Sequence, residues 1–573
     1  MGGDMIARLA PASLQKDASA LFAFATASHA RVVGILVLVC LTAFLPGFFN
    51  IPPVDRDEAR FAQATKQMIE SRDYIDIRFQ DEVRYKKPVG IYWMQAGVVR
   101  AAEAVGIREA RSTIWLYRVP SLIGAIGAVL LTYWAALAFV TRRTAFLAGV
   151  MVATCALLNI EARLAKTDAV LLMCCVAAMA VMARAYLTQS TGRDIPWGHA
   201  LLLWTALAAG ILLKGPLILM VVALAVLALV IADRSATWLM RLRPMVGVLW
   251  VLLLVLPWFV AIMGRAGDSF FQESVGQDLF AKIFKGQETH GAPPGYYLLL
   301  FWVTFWPAAP LAAVAAPAVW RRRAEPPLRF LLAWVVPCWV VFELVVTKLP
   351  HYVLPLYPAI AILIAREIER RELSTNPHLT RFTVMWPILM AVIPAAAVWT
   401  VLYMRSQFAW LAWPFGAAGL ILGFYAWRLY DVEGAERSFL RAAAGTLFMI
   451  VAVLGVAIPL MRPVFPSATL AEFVRGIDCR NPVIAAAGFH EPSLVFLVGT
   501  RTRLVDGSTA AEVLRGGDCR VAIIESRQER AFAQRAEQIG LRYRLAARRL
   551  DGYFNLNGGR QISFAIYRAE PPL

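Results

Sequence analysis

The chain has 573 residues, of which 59% are hydrophobic and only 17% charged; a mean hydropathy of +0.59 describes a polytopic membrane protein and excludes a water-soluble globule. A formal net charge of +18 would suit a nucleic-acid binder, but the basic residues are scattered between apolar runs instead of gathered in one domain, so no nucleic-acid partner is expected. The charge reads as a topology signal, helped by attraction to anionic membrane lipids.

Met1 to Ala30 lacks an apolar core followed by a small-residue cleavage site and reads as a cytoplasmic amphipathic lead-in, not a cleaved signal. A spanning helix needs roughly 20 mostly apolar residues. About thirteen stretches meet that criterion, near residues 32–48, 117–139, 144–160, 169–187, 199–213, 215–232, 245–263, 294–319, 328–346, 351–365, 383–403, 409–427 and 441–461. With Arg8, Lys16 and Arg31 in the cytoplasm, Arg142 and Arg143, Arg234 with Arg241 and Arg243, Arg321 to Arg323, Arg366 with Arg370 and Arg371, and Arg428 with Arg437 fall on the same side. An odd number of spans leaves the tail outside. The expected fold is a polytopic α-helical membrane protein, with a transmembrane catalytic domain over 1–461 and an external α/β domain over 462–573.

The first external loop, 49–116, opens on Val-Asp-Arg-Asp-Glu-Ala-Arg, placing Asp55, Asp57, Glu58 and Arg60 just beyond the first apolar run. Ionisable groups held beside a bilayer are usually functional; the plainer reading is helix capping by acids. Phe61, Ala64, Met68 and Ile69 then recur at helical spacing, and Pro88 opens a second stretch with Val89, Ile91, Tyr92, Trp93 and Val98. Both stretches are expected to lie as interfacial helices on the bilayer. Between them Arg84-Tyr85-Lys86-Lys87 suits either headgroup anchoring or phosphate capture.

Later external connections return charges to the same face: Arg163, Lys166 and Asp168 after the third run, Lys214 after the fifth, and Lys348, His351 and Tyr352 after the ninth. The connection 264–293 carries Arg265, Asp268, Lys282, Lys285, Glu288 and His290. Charges gathered at one face and scarce at mid-span fit an enzyme for lipid-linked substrates better than a transporter. Lysine and arginine can neutralise a phosphate leaving group, and an opposing carboxylate can act as a base or stabilise a sugar cation. Asp55, Asp57, Glu58 and Asp168 are the candidate catalytic acids; Arg60, Tyr85, Lys86, Lys87, Arg163, Lys166, Lys214, His290, Lys348 and Tyr352 are the candidate substrate-binding residues. No nucleotide-binding glycine motif and no Cys/His metal spacing occurs; no cofactor is firmly implied, and a divalent metal is left open. A disulfide between Cys479 and Cys519, in the external segment, is permitted.

At these residues the chain resembles C-type membrane glycosyltransferases that use polyprenyl-phosphate sugars, above all the lipid A 4-amino-4-deoxy-L-arabinose transferases, relatives of the protein O-mannosyltransferases. The resemblance is carried by Asp57, Glu58 and Arg60, by Lys87-Pro88 before Tyr92-Trp93, and by Arg163 with Asp168. Pro257-Trp258, His290 before Pro294, Tyr296-Tyr297 and Lys348-Leu-Pro-His-Tyr-Val-Leu-Pro continue it. It implies an undecaprenyl-phosphate-linked aminoarabinose donor, a lipid A phosphate acceptor and a site on the periplasmic side of a bacterial inner membrane. Lys86 stands where the family often has an acid, which leaves open any metal-binding role there. A polyprenyl-phosphate hexose donor, a protein or other glycolipid acceptor, and a lipid flippase remain alternatives.

Overall fold

The computed structural model describes residues 22–189, 192, 194–267, 270, 291–404, 409–479, 482–517, 519–546 and 549–570; His290, with Lys282, Lys285 and Glu288, lies outside them. Each expected apolar stretch holds a helix or a broken pair of helices. In chain order these are α1 (His29–Phe44), then, after the first-loop helices α2 (Asp57–Ser71) and α3 (Gly90–Ala104), α4 (Ile114–Ala136), α5 (Arg142–Ala153) with α6 (Ala156–Glu161), α7 (Asp168–Leu187), α8 (Trp197–Lys214), α9 (Leu217–Asp233) and α10 (Pro244–Ala266). There follow α11 (Tyr296–Thr304) with α12 (Ala309–Arg321), α13 (Pro326–Leu344), α14 (Tyr357–Arg370) led in by a 3₁₀ turn over Pro350–Leu356, α15 (Met385–Tyr403), α16 (Ala412–Arg428) and α17 (Ala435–Ile450). Among the described residues, eight helices are long and apolar enough to cross a membrane. The structure thus supports a multi-pass architecture without fixing the count at thirteen.

The two ends of the bundle differ as the charge pattern requires. At one end Arg142 donates to Thr26 O (2.8 Å), Arg143 pairs with Glu436 (2.5 Å), Arg366 pairs with Glu325 (2.9 Å), and Arg322 pairs with Glu367. At the other end lie Asp57, Asp168 and Lys214. Asp168 and Tyr186 stand near opposite ends of α7, ~27 Å apart at 1.5 Å per residue. Close helix approach sets the site's frame: a Cβ on Gly124 of α4 would lie 2.7 Å from Val170 N and Cα of α7, the close backbone contact that small residues permit between membrane helices.

The first loop departs from expectation in one respect. The apolar face of α2 packs on protein: Phe61, Ala64 and Met68 join the main core, and Ile69 packs with Val99, Tyr117 and Phe496. Ten of its fifteen residues are buried, so α2 is an internal strut where an interfacial helix is expected. Trp93 on α3 stays exposed.

Beyond the bundle, α18 (Pro466–Arg475) leads into β3 (Val483–Ala487), α19 (Pro492–Val498), β4 (Arg503–Val505), α20 (Gly507–Arg515), β5 (Arg520–Glu525), α21 (Glu529–Gln538), β6 (Tyr543–Leu545), β7 (Leu550–Asn555) and β8 (Arg560–Ala569); β1 (Arg78–Phe79) and β2 (Glu82–Val83) form a small hairpin in the first loop. The sheet order is β4-β3-β5-β8-β6 with β7 also on β8, parallel through β4, β3 and β5 and antiparallel thereafter. Successive side chains of a strand face opposite ways. Ile484, Ala486, Val521 and Ile523 therefore meet Leu470 and Leu494 on one face, while Ala485, Ala487, Ala522 and Ile524 meet Ala511, Leu514 and Phe532 on the other. Helices on both faces explain why β3 and β5 are almost continuously apolar. Cys479 and Cys519 are joined, with Cα atoms 5.8 Å apart.

Candidate functional site

The first turn of α2, the connection 161–168, the end of α8 and the 3₁₀ turn at Pro350 meet at one end of the bundle. At their centre Lys166 Nζ lies 2.9 Å from Glu161 Oε1, 3.5 Å from Asp168 Oδ2 and 3.4 Å from His351 Nδ1. Lys214 pairs with Asp168 Oδ1, whose other neighbour is His351 Nε2 at 3.6 Å. Every one of these side chains is at least about nine-tenths buried. Burial works against the Lys166 ammonium, but Glu161 and Asp168, with Asp57 further off, hold its pKa above the ordinary lysine value. Tyr352 borders the cluster, its ring 5.4 Å from the Lys214 ammonium and 5.2 Å from the His351 ring. Lys87 is within electrostatic reach of His351.

Glu161, Asp168 and His351 bring ligand atoms within 4.8 Å of one another, a donor set known for divalent cations. Here, however, the two ammoniums already balance the two carboxylates. A cation entering the cluster would have to displace Lys166 from Glu161 and Lys214 from Asp168, so the residues as arranged fit an ion-paired cage better than a metal centre.

The structure separates the three acids of the first loop. Glu58, expected as catalytic, is a structural anchor: Arg118 Nε and Nη2 hold its two oxygens at 2.7 and 2.9 Å, and the N–H groups of Ala165 and Val54 add bonds of 3.0 and 2.8 Å. Arg118 also donates to the carbonyls of Phe48 (2.9 Å), Ile51 (2.8 Å) and Pro52 (3.1 Å). Asp55 turns toward the C-terminal domain and accepts from Ser493 N–H at 3.0 Å. Asp57 alone is exposed, with no hydrogen bond or ion pair to a described residue, and its charge is felt at both Lys166 and Tyr92.

Several expected binding residues have other uses. Arg163 is buried and gives its guanidinium to the carbonyls of Pro46 (2.7 Å), Ala43 and Asn159, satisfying the open end of α1. It therefore holds helices together and has no face left for a phosphate. Lys348 donates to Val345 O (2.5 Å) at the end of α13, and Tyr85 donates to Asp76 Oδ1 (2.8 Å) within the loop. Asp168, expected as a catalytic acid, has both oxygens in ion pairs and instead orients the lysines. Arg60 faces Asp55, and Lys86 is exposed. Lys87, Lys166, Lys214 and Tyr352 do assemble around the cluster.

Glu161, His351, Arg84 and Arg118 are the residues that sequence reasoning missed as members of the site or its support. An arginine inside an apolar run, such as Arg118, is itself a signal. Glu161 ends the third run two positions before Arg163, and His351 sits in the Lys-Leu-Pro-His block. Arg84 places its guanidinium 5.3 Å over the Phe61 ring and beside the Tyr92 hydroxyl.

Burial drives the Asp55 carboxyl up to about 6; hydrogen bonding from Ser493 opposes the rise and Glu491 adds to it. A carboxyl raised above its unfolded value contributes stability that is complete below pH ~4 and lost as pH rises through the folded pKa. The melting temperature is accordingly expected to fall between about pH 4 and about pH 7, levelling off above that, and to fall less in Asp55→Asn; identical profiles would remove Asp55 from the contact.

Comparison with known proteins finds sequence similarity to sugar transferases that use polyprenyl-phosphate donors. Residues 86–260 match the family described as dolichyl-phosphate-mannose-protein mannosyltransferase. The undecaprenyl phosphate-α-4-amino-4-deoxy-L-arabinose arabinosyl transferase of Erwinia tasmaniensis is 28% identical over 394 residues, 65% of this chain and 69% of that protein. Its counterpart in Pectobacterium carotovorum is 28% identical over 371 residues, 64% of each chain. The crystal structure of ArnT from Cupriavidus metallidurans bound to undecaprenyl phosphate superposes with a TM-score of 0.74 at 19% identity, covering 94% of this chain and 98% of that one. The fold is thus that of ArnT, and the resemblance read from the sequence is borne out.

Proposed function

We propose that this chain, an ArnT-like membrane glycosyltransferase by sequence and fold, moves 4-amino-4-deoxy-L-arabinose from an undecaprenyl-phosphate carrier to a lipid A phosphate on the periplasmic side of a bacterial inner membrane. The observation that carries the reading is that Asp57, the one exposed acid among Asp55, Asp57 and Glu58, lies within electrostatic reach of Lys166 in a lysine-rich cluster at one end of the bundle. The likeness to transferases of that sugar supports the choice of donor. The disulfide in the C-terminal domain suits an oxidising compartment on that side.

In this reading an oxygen of the acceptor phosphate attacks the anomeric carbon, the bond from that carbon to the carrier phosphate breaks, and the electron pair leaves with the carrier. Positive charge develops on the sugar and negative charge on the departing phosphate. Asp57 stabilises the first and Lys87, with Lys166 and Lys214 behind it, the second. An acceptor phosphate is already ionised near neutral pH, so Asp57 acts on the sugar and need not take a proton. The ion-paired cage holds the lysines in place before substrate arrives, which avoids reorganisation during the reaction.

The test is to incubate reconstituted protein with undecaprenyl-phosphate aminoarabinose and lipid A and to follow the acceptor by mass spectrometry. A pentosamine mass gain supports the proposal. No gain with this donor, but transfer from a polyprenyl-phosphate hexose or to a protein hydroxyl, would move the chain to a different substrate. Lys87→Ala is expected to raise the donor KM about tenfold, the effect of losing ~1.4 kcal/mol from one charged contact, with kcat less affected; an unchanged KM would take Lys87 out of the phosphate site.

A further inference from the structure

Helix α19 of the C-terminal domain is only seven residues long, and side chains of the first loop complete both its ends. Asp55 accepts from Ser493 N–H at its start, and Lys66 Nζ donates to Phe496 O at 2.8 Å near its end. An acid at the N-terminus and a base at the C-terminus match the helix dipole, while the preceding residue, Glu491, gives no side-chain cap. Between these ties Phe496 is fully buried with Ala62, Ile69, Val99 and Tyr117, its ring 5.2 Å from that of Tyr117. The connection after α19 extends the contact: Gln63 donates to Thr500 Oγ1 (2.9 Å), Thr500 donates to Glu70 (2.7 Å), and Gln80 donates to the carbonyls of Thr500 (3.0 Å) and Thr502 (2.6 Å).

Two features turn this contact from packing into positioning. Lys66 is only 6% exposed, and a buried ammonium is costly; a methionine would fill the same space without that cost unless the bond to Phe496 O matters. The residue just before α2, Arg56, has φ 69° and ψ −111°, and no side chain caps the helix there. A non-glycine residue in that region persists only where its surroundings over-determine it. The surroundings are Asp55, tied to Ser493, and Glu58, tied to Arg118, and the residue between these anchors beyond the strained turn is Asp57.

We propose that α19 is a clamp laid by the C-terminal domain along α2, and that Lys66 is a positioning residue through which this domain fixes the presentation of Asp57 to the sugar. The proposal rests on the reading of Asp57 as the reacting acid. It makes the external domain a working part of the transferase, with its own effect on turnover.

The test uses full-length protein in nanodiscs, with kcat, donor KM and melting temperature measured for Lys66→Met, Lys66→Arg and Thr500→Val beside Asp57→Asn. A displacement of the acid by a fraction of an ångström should cut kcat about tenfold or more in Lys66→Met while donor KM stays within about twofold. Lys66→Arg should restore most of the loss, and Thr500→Val should lower kcat about threefold with little change in melting temperature. Wild-type kcat in Lys66→Met overturns the clamp; if that variant fails to accumulate, wild-type kcat in Thr500→Val does so. Normal turnover in Asp57→Asn would instead overturn the underlying reading of the acid.

Discussion

Asp57→Asn should lower kcat by about 10²–10³-fold, the range for losing one group that stabilises charge developing in the transition state, while binding of undecaprenyl phosphate itself stays near wild type. Asparagine keeps the size of the side chain, and Asp57 makes no cap bond that could be lost, so removing one acid from the first turn of α2 should change helix stability by only about 0.3–1 kcal/mol. What disappears is the negative charge opposite the developing sugar cation. Glu58 cannot substitute, because both its oxygens are held by Arg118, and Asp55 is turned toward Ser493. Asp168 is held by Lys166 and Lys214. The measurement is single-turnover transfer with saturating donor, beside a separate assay of carrier binding. Turnover within threefold of wild type would take the acid out of the mechanism and favour a protein that binds the carrier without chemistry.

The second large effect falls on stability. Glu58→Gln should destabilise the protein by about 3–5 kcal/mol, since removing one member of a buried ion pair leaves the other charge uncompensated. Arg118 and Glu58 are 0% and 1% exposed in their side chains, and the node ties together the end of the first run, the start of α2, α4 and the connection before α7. Folding yield in membranes and the melting temperature of purified protein should fall together, and Arg118→Met should behave alike. A Glu58→Gln protein of normal melting temperature but lost turnover would return Glu58 to the list of reacting acids. The contrast with Asp57 is informative because the two residues are neighbours in sequence.

That contrast marks how far the sequence could be read. Apolar runs, the bias of arginine toward one face and the gathering of Asp57, Lys87, Lys166, Lys214 and Tyr352 on the opposite face were all legible, because lipid imposes length and charge rules on each segment separately. The α/β character of the tail was legible in the same way, from strands apolar on both faces. Roles within the site were not. Arg163 and Lys87 look equally suited to a phosphate, yet one satisfies helix carbonyls at the end of α1 and the other borders the cluster. Glu161 reads as the polar end of an apolar helix until Lys166 and His351 are found beside it.

By itself, the sequence determined which segments are apolar enough to cross lipid and which connections carry the charged groups, since those follow from local composition. Tertiary structure decided which charges neutralise one another and which acid of the first loop is left exposed. A buried carboxylate must find its partners wherever the fold brings them, from 60 residues away for Glu58 and Arg118 or from another domain for Asp55 and Ser493. Local pattern carries no record of such distances, and only the packed helices assign Asp57 its separate place.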